Sequence, residues 1–267
     1  MQQEVRRIGV AMGIAVVVLV AAAGAYVWYV QQPAAMPEVP LTFTSAKTIE
    51  SSVAHRAVAD LPAVDGLPDR AEQRAINAAM RQPMLQALAA IERKALADRP
   101  DLHGDGIYTF RSTFTVERFT DRAVSVRFMT EEYAGGAHPR TTVSAYTYDF
   151  AQHRAVVLDD LFARQDEPYL LTLTRLTNGA LLTKFDLGKD ADPDLVAWVD
   201  RGTAPDTRHF EVVTFNDRGT TFWFDPGEVA PIAAGVLAAE IPYEELRGIV
   251  RAGSVLEEYL VQSSVPR

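Results

Sequence analysis

Cysteine is absent from this chain of 267 residues. Its absence excludes disulfide bonds, thiolate metal sites and cysteine-dependent catalysis. The sequence also lacks the HExxH motif of zinc proteases, the GxSxG elbow of serine hydrolases and the glycine-rich loops that bind phosphates. The five histidines include no pair at the helical spacing of four residues. From these absences we predict no metal, no cofactor and no catalytic residue.

Basic residues are outnumbered by acidic ones, 26 against 35, which gives a formal net charge of −9 at pH 7. An acidic protein repels phosphate groups, so nucleic acid is excluded as a partner. Complementary charge instead favours a cationic protein. The hydrophobic content of 48% is that of an ordinary globular chain, and this length can bury a sizeable core.

A single long run without charge or proline occupies residues 8–30. A helix of this length reaches across the roughly 30 Å hydrocarbon core of a bilayer. Two arginines stand just before the run and no lysine or arginine follows until residue 47, so residues 1–7 are predicted to stay in the cytoplasm. We expect a single-pass protein of the cytoplasmic membrane with its C-terminal domain in the periplasm or outside the cell. The alternative is a cleaved signal peptide.

The segment beyond this span begins with a proline-rich linker at residues 31–40. Residues 41–61 predict one or two strands. A helix is predicted to start at Asp69 as N-cap, with Glu72 completing a capping box. Pro83 should kink or split this helix. Its apolar residues recur every three or four positions and predict one buried stripe: Ile76, Met80, Met84, Leu88, Ile91 and Ala95.

Later segments alternate between apolar and polar residues, as half-buried strands do. Along the chain, the predicted strands and helices do not follow one another strictly by turns, and this order predicts an α+β fold. We expect one antiparallel sheet with helices packed on one face, preceded by a single N-terminal transmembrane helix. The predicted strands are 108–117, 124–128, 146–150, 155–158, 210–215, 220–224 and 236–241, and the predicted helices are 168–185, 192–199 and 242–250.

The segment 131–139 is the most unusual of the chain. Gly135 and Gly136 follow a predicted strand and allow a tight turn or close approach of a ligand. With Tyr133 and His138 they form a candidate ligand-binding loop. The alternative is a structural turn in which His138 ties two strands together.

A second candidate ligand-binding loop is acidic and contains Asp190, Asp192 and Asp194. The spacing imitates the start of a calcium loop. However, Leu195 replaces the glycine that such a loop requires, and Arg201 occupies the position of its bidentate glutamate. We therefore predict no metal here and keep the loop as a candidate contact for a cationic ligand.

Several motifs in order resemble the RsiV-type C-terminal domain family (domain of unknown function 3298). Upstream residues, including Leu61, Pro62 and Gly66, are similar to the companion region of PdaC-type deacetylases (domain of unknown function 4163). The resemblance implies an exported α+β domain without established catalysis, and in the best-understood member the outer domain binds lysozyme. The motifs are YAGGAHP at 133–139, YDF at 148–150, VLDDLF at 157–162 and TFWFDPGEVAP at 221–231.

On this basis we expect a PdaC-like part at 41–130, an RsiV-like part at 131–250 and a C-terminal tail at 251–267. The predicted function is a membrane-tethered, extracytoplasmic, non-enzymatic binding domain. Its expected ligand is a cell-wall component such as peptidoglycan, or a lysozyme-type wall-degrading enzyme.

Two other functions stay open at the level of sequence. One is an envelope carbohydrate hydrolase or deacetylase, in which His138 would act with Glu132 or Asp149. The other is a structural envelope protein that pairs through Gly9 and Gly13 of the span.

Overall fold

The computed structural model describes residues 40–52, 55–98, 107–163, 169–185 and 192–262. The predicted span at 8–30, nearly all of the linker, and Asp190 lie outside the described residues. Within the described ranges, no helix has both the length and the apolar character needed to cross a membrane. Residues Leu41–Arg267 group into one compact unit.

A large sheet of six strands runs in chain order. Neighbouring strands are antiparallel except β2 and β3, which run parallel because helix α1, Arg70–Ala97, crosses between them. This parallel pair is a correction to the antiparallel sheet predicted from the sequence. The strands are β1 Thr42–Ser51, β2 His55–Asp65, β3 Tyr108–Phe119, β4 Ala123–Tyr133, β5 Arg140–Asp149 and β6 Arg154–Ala155.

Helix α1 has the predicted start and the predicted buried stripe. The Asp69 side chain accepts hydrogen bonds from the backbone N–H groups of Ala71 and Glu72, and all six stripe residues are buried. The helix continues across Pro83, so the proline does not split it. The predicted capping box is only half formed, because the Glu72 carboxylate bonds to Tyr148 and His153 instead of to the Asp69 backbone.

A second, smaller sheet follows, with β8 between β7 and β9. The sequence predicted its strands but not that they would form a separate sheet. The predicted strand at 155–158 shortens to β6 because a helix begins at Leu158, and the predicted helix at 242–250 shortens to one turn. The remaining elements are β7 Val213–Phe215, β8 Gly219–Phe224, β9 Leu237–Pro242, α2 Leu158–Leu161, α3 Tyr169–Lys184, α4 Pro193–Gly202, α5 Tyr243–Leu246 and α6 Glu257–Gln262.

The two faces of the large sheet belong to two different cores. Val124 and Val126 of β4 face the core under α1, whereas Ala123 faces the core of the small sheet and the later helices. Ser125 points the same way as Ala123, and its hydroxyl oxygen accepts a hydrogen bond from the Phe215 backbone N–H at 3.3 Å. The small sheet therefore packs on the face of β4 that lies opposite the core under α1, so the single sheet predicted from the sequence is two packed sheets.

Candidate functional site

A groove lies where α1 leaves the face of the large sheet uncovered. The helix packs on β2 and β3, and beside it β4 and β5 extend as an open floor. The space between helix and floor has a volume of about 390 Å³. Its wall, from α1, consists of Ala79, Met80, Pro83, Met84 and Ala87, and its floor consists of Phe128, Thr130, Glu132, Arg140, Thr142, Ser144, Ala145 and Tyr146.

The floor of the groove is built from residues that face one another on adjacent strands. Thr130 lies opposite Thr142, and Glu132 lies opposite Arg140. Alternate residues of a strand point to the same face, so these two pairs share the face that α1 covers elsewhere. Ser112 of β3 continues the row, with its hydroxyl 3.4 Å from that of Thr130. The floor therefore carries a line of hydroxyls that ends in two opposite charges.

Glu132 and Arg140 stand opposite each other without pairing. Among the described residues, neither side chain makes a hydrogen bond or an ion pair. Glu132 is half-buried and Arg140 is exposed at the mouth of the groove. The carboxylate and the guanidinium are thus both open to a ligand, next to an apolar wall.

Tyr146 closes the floor at the other end. Burial raises the pKa of its phenol to about 12, so the group is neutral and can donate a hydrogen bond at physiological pH. The same side chain also lines a second cavity of about 490 Å³ on the way to Thr207 and Val213. In that cavity the acidic Asp159 is already engaged, because it accepts a hydrogen bond from the Tyr169 hydroxyl at 2.5 Å.

The loop singled out in the sequence joins the two strands of the groove floor. Gly135 and Gly136 have φ values of +86° and +111°, a conformation that side chains with a Cβ rarely adopt. The Tyr133 hydroxyl donates a hydrogen bond to the Gly136 carbonyl at 3.1 Å and fixes the turn. His138 is exposed. None of the four lines the groove, but the loop connects Glu132 to Arg140 directly.

The acidic loop has a local role at the start of α4. Asp192 is the N-cap, and its carboxylate accepts a hydrogen bond from the Asp194 backbone N–H at 2.9 Å. Both residues are exposed. They do not line the groove, so a role in ligand binding stays a prediction. In the described part of the chain, no group of three or more His, Asp and Glu side chains is arranged to hold a metal ion.

The enzymatic alternative required His138 to act with Glu132 or Asp149, and the structure does not assemble these residues around His138. Within the described ranges, His138 makes no hydrogen bond or ion pair. Asp149 is buried, pairs with Arg122 at 3.0 Å and accepts two backbone N–H groups of the following turn. These contacts give Asp149 a structural role.

One titratable cluster was not found from the sequence. The Glu72 carboxylate accepts a hydrogen bond from the Tyr148 hydroxyl at 2.8 Å, and His153 Nδ1 lies 2.9 Å from the same oxygen. Burial, together with this contact with Glu72, raises the pKa of Tyr148 well above its ordinary value. His153 sits in a turn with a φ of +52°. The only sequence signal was the gap between the predicted strands 146–150 and 155–158, in which His153 lies.

Two solved structures share this fold. One is a member of the DUF3298 family from Bacteroides fragilis, with a TM-score of 0.64 and 18% sequence identity over 82% of this chain and 97% of that chain. The other is a DUF3298 family protein from Pseudomonas aeruginosa, with a TM-score of 0.60 and 20% identity over 80% of this chain and 96% of that chain. At such identities the likeness concerns the fold alone.

Curated relatives match about half of the chain. The peptidoglycan-N-acetylmuramic acid deacetylase PdaC of Bacillus subtilis is 25% identical over 138 residues, which is 52% of this chain and 28% of that protein. The esterase Rv3036c of Mycobacterium tuberculosis is 26% identical over 121 residues, 45% of this chain and 48% of the esterase. This chain therefore spans less than half the length of either relative.

A family model described as "protein of unknown function (DUF3298)" matches residues 159–244. This segment covers α2, α3, α4 and the small sheet up to the start of α5. The predicted resemblance to that family is confirmed for this segment, as is a low-identity likeness to PdaC. The chain thus contains a segment that matches the DUF3298 model, within a fold that two DUF3298 structures share.

Proposed function

We propose that this protein is a non-catalytic binding module for the glycan of the cell wall and that the groove between α1 and the β4–β5 floor is its binding site. The observation that carries the proposal is the composition of this groove. A row of hydroxyls and two unpaired charges faces an apolar helix wall.

Sugars present two kinds of surface, hydroxyl groups at the ring edge and apolar C–H groups on the ring faces. The hydroxyls of Thr130, Thr142 and Ser144 can exchange hydrogen bonds with the ring edge, while Pro83 and Ala87 of the wall offer an apolar surface to a ring face. The volume of about 390 Å³ falls in the range of roughly 300–1,000 Å³ typical of small-molecule sites. The likeness to a peptidoglycan deacetylase supports a wall polymer as the ligand.

Sedimentation of the full-length chain with insoluble peptidoglycan tests this function. We expect the wild-type protein to pellet with the polymer and Ser144→Trp, which fills the groove, to stay in the supernatant. Ser45→Trp is the matched control, because Ser45 is an exposed serine on β1, away from the groove. A wild-type protein that remains in solution, or a Ser144→Trp variant that still pellets, would refute the proposal.

An enzymatic function is the second candidate, because two relatives carry the names of a deacetylase and an esterase. The groups best arranged for it are His153 and Glu72, since the carboxylate holds the imidazole through Nδ1 as in general-base pairs. Release of acetate from peptidoglycan, measured with the wild type and with His153→Gln, tests it. Acetate release that falls in the variant would support the enzyme.

A lysozyme-type partner rests on the net charge of −9 and on the family resemblance. Calorimetric titration with lysozyme at low and moderate salt tests this partner, and we expect saturable binding that weakens as salt screens the charges.

The location outside the cytoplasm, with residues 8–30 as the anchor, is part of the same proposal. A topology reporter fused after residue 267 tests that location.

A further inference from the structure

The charged end of the groove indicates which class of ligand the site binds. This inference rests on the proposed function. Glu132 and Arg140 are directly opposed on β4 and β5 and line the same cavity. Among the described residues, no other side chain pairs with either of them.

A carboxylate and a guanidinium can each bond to the hydroxyls of a neutral sugar, but a ligand that carries charges of its own gains more from them. A guanidinium binds a carboxylate through two parallel hydrogen bonds, and a carboxylate accepts hydrogen bonds from an ammonium group. Such charge-assisted bonds are stronger than those between neutral groups. The pair therefore suits a ligand that brings one carboxylate and one ammonium group close together.

The chain contains a second acid–base pair that serves as an internal comparison. Arg111 of β3 lies directly opposite Glu131 of β4. Glu131 precedes Glu132, so this second pair faces the opposite side of the sheet. Neither Arg111 nor Glu131 lines the groove. Two pairs of identical chemistry thus differ in whether they line the groove.

We propose that the Glu132–Arg140 end of the groove recognises the zwitterionic peptide attached to the wall glycan, with the peptide carboxylate on Arg140 and its ammonium group on Glu132. The hydroxyl row and the apolar wall hold the sugar, and the charged pair distinguishes peptide-bearing glycan from bare glycan. The turn at Gly135 and Gly136 connects the two strands at this end.

The test compares intact peptidoglycan with the same material after an amidase has removed its peptides. We expect the full-length wild-type chain to bind the intact polymer at least about tenfold more tightly, the size of one charge-assisted contact. Glu132→Gln and Arg140→Gln should each lose this preference and bind the intact and the stripped polymer about equally. Glu131→Gln and Arg111→Gln, with the same changes of charge on the other face, should keep it.

The outcomes separate this inference from the proposed function. Equal binding of intact and stripped polymer by the wild type would overturn the charged-pair inference and leave the glycan site standing. Loss of the preference in the Glu131 or Arg111 variants would overturn it as well, because a general charge effect would then explain the data. Binding to neither polymer would remove both proposals.

Discussion

The Arg127 guanidinium stacks on the indole of Trp223, with its central carbon 4.2 Å from the ring centroid. Arg127 belongs to β4 of the large sheet and Trp223 to β8 of the small one, so this contact joins the two sheets. The same guanidinium pairs with Glu117 at 2.9 Å, and the indole N–H donates to the Thr214 hydroxyl at 2.8 Å. Both partners are therefore held in place for stacking.

A double-mutant cycle should detect this contact. We expect Arg127→Gln and Trp223→Leu to be coupled by about 0.5–1 kcal/mol in the free energy of unfolding, the usual size of a cation–π contact. Urea denaturation of the wild type, both single variants and the double variant measures it. The control cycle pairs Arg127→Gln with Trp198→Leu, because the Trp198 indole donates to the Gly227 carbonyl and does not contact Arg127. Equal coupling in the two cycles would contradict the prediction.

The stripe of α1 should be sensitive to truncation on one side only. Ile91 is 1% exposed and Leu96 is 53% exposed on the same helix. Replacing Ile91 with alanine removes buried methyl groups and leaves a cavity, which costs about 2–5 kcal/mol. Leu96→Ala should change the free energy of unfolding by no more than about 0.5 kcal/mol, as surface substitutions do. Similar losses in both variants would show that the buried face is wrongly assigned.

Two helical glycines should respond to alanine in opposite directions. A Cβ at Gly202, the last residue of α4, would clash with the Glu228 carbonyl oxygen, whereas a Cβ at Gly179 of α3 would meet nothing within 4 Å. Gly179→Ala should therefore stabilise the protein by about 0.5–1 kcal/mol, the difference in helix propensity. Gly202→Ala should lower the thermal midpoint despite that propensity. A higher midpoint in both variants would refute the clash.

Stability should fall at high pH in part because of Tyr146. Burial raises the pKa of this phenol to about 12 in the folded state, whereas an unfolded tyrosine titrates near 10. Between these values the unfolded state binds fewer protons, so the free energy of unfolding decreases as pH rises. Urea midpoints from pH 9 to 11.5 should fall less steeply for Tyr146→Phe than for the wild type. Parallel pH profiles would contradict the assignment.

Local features of the fold could be predicted because their causes are local. The start of α1 follows from Asp69, and the helical period alone identifies its buried face. The capping box is only half formed for a non-local reason. The Glu72 carboxylate contacts the Tyr148 hydroxyl and the His153 imidazole instead. Both residues lie far along the chain and come close to Glu72 only in the folded state.

The pairing of strands could not be predicted from their patterns. A strand has the same alternation of apolar and polar residues whether its neighbour is parallel or antiparallel. The residue pattern of β2 and β3 therefore does not indicate that the two strands are parallel. The start of β4 is buried on both faces. Its small residues Ala123 and Ser125 gave too weak an apolar signal to reveal the second core.

The candidate site was predicted only at its edge. The loop from Tyr133 to His138 drew notice because adjacent glycines are conspicuous in a sequence. The groove beside it combines alternate residues of two strands with a helix some fifty positions earlier, such as Glu132 with Met80. Only the tertiary fold brings these residues onto one surface.

The segment that matches the DUF3298 model and the segment that must fold together have different bounds. The match ends at residue 244, but Leu246, Leu256 and Tyr259 fill the same core as the matched residues. Phe162 forms a β-bridge with Val250, and the Arg251 backbone N–H donates to the Leu161 carbonyl at 2.9 Å. A polypeptide cut to residues 159–244 would lose these closing contacts and expose phenylalanine rings, so inheritance of this segment as a module requires the flanking chain to travel with it.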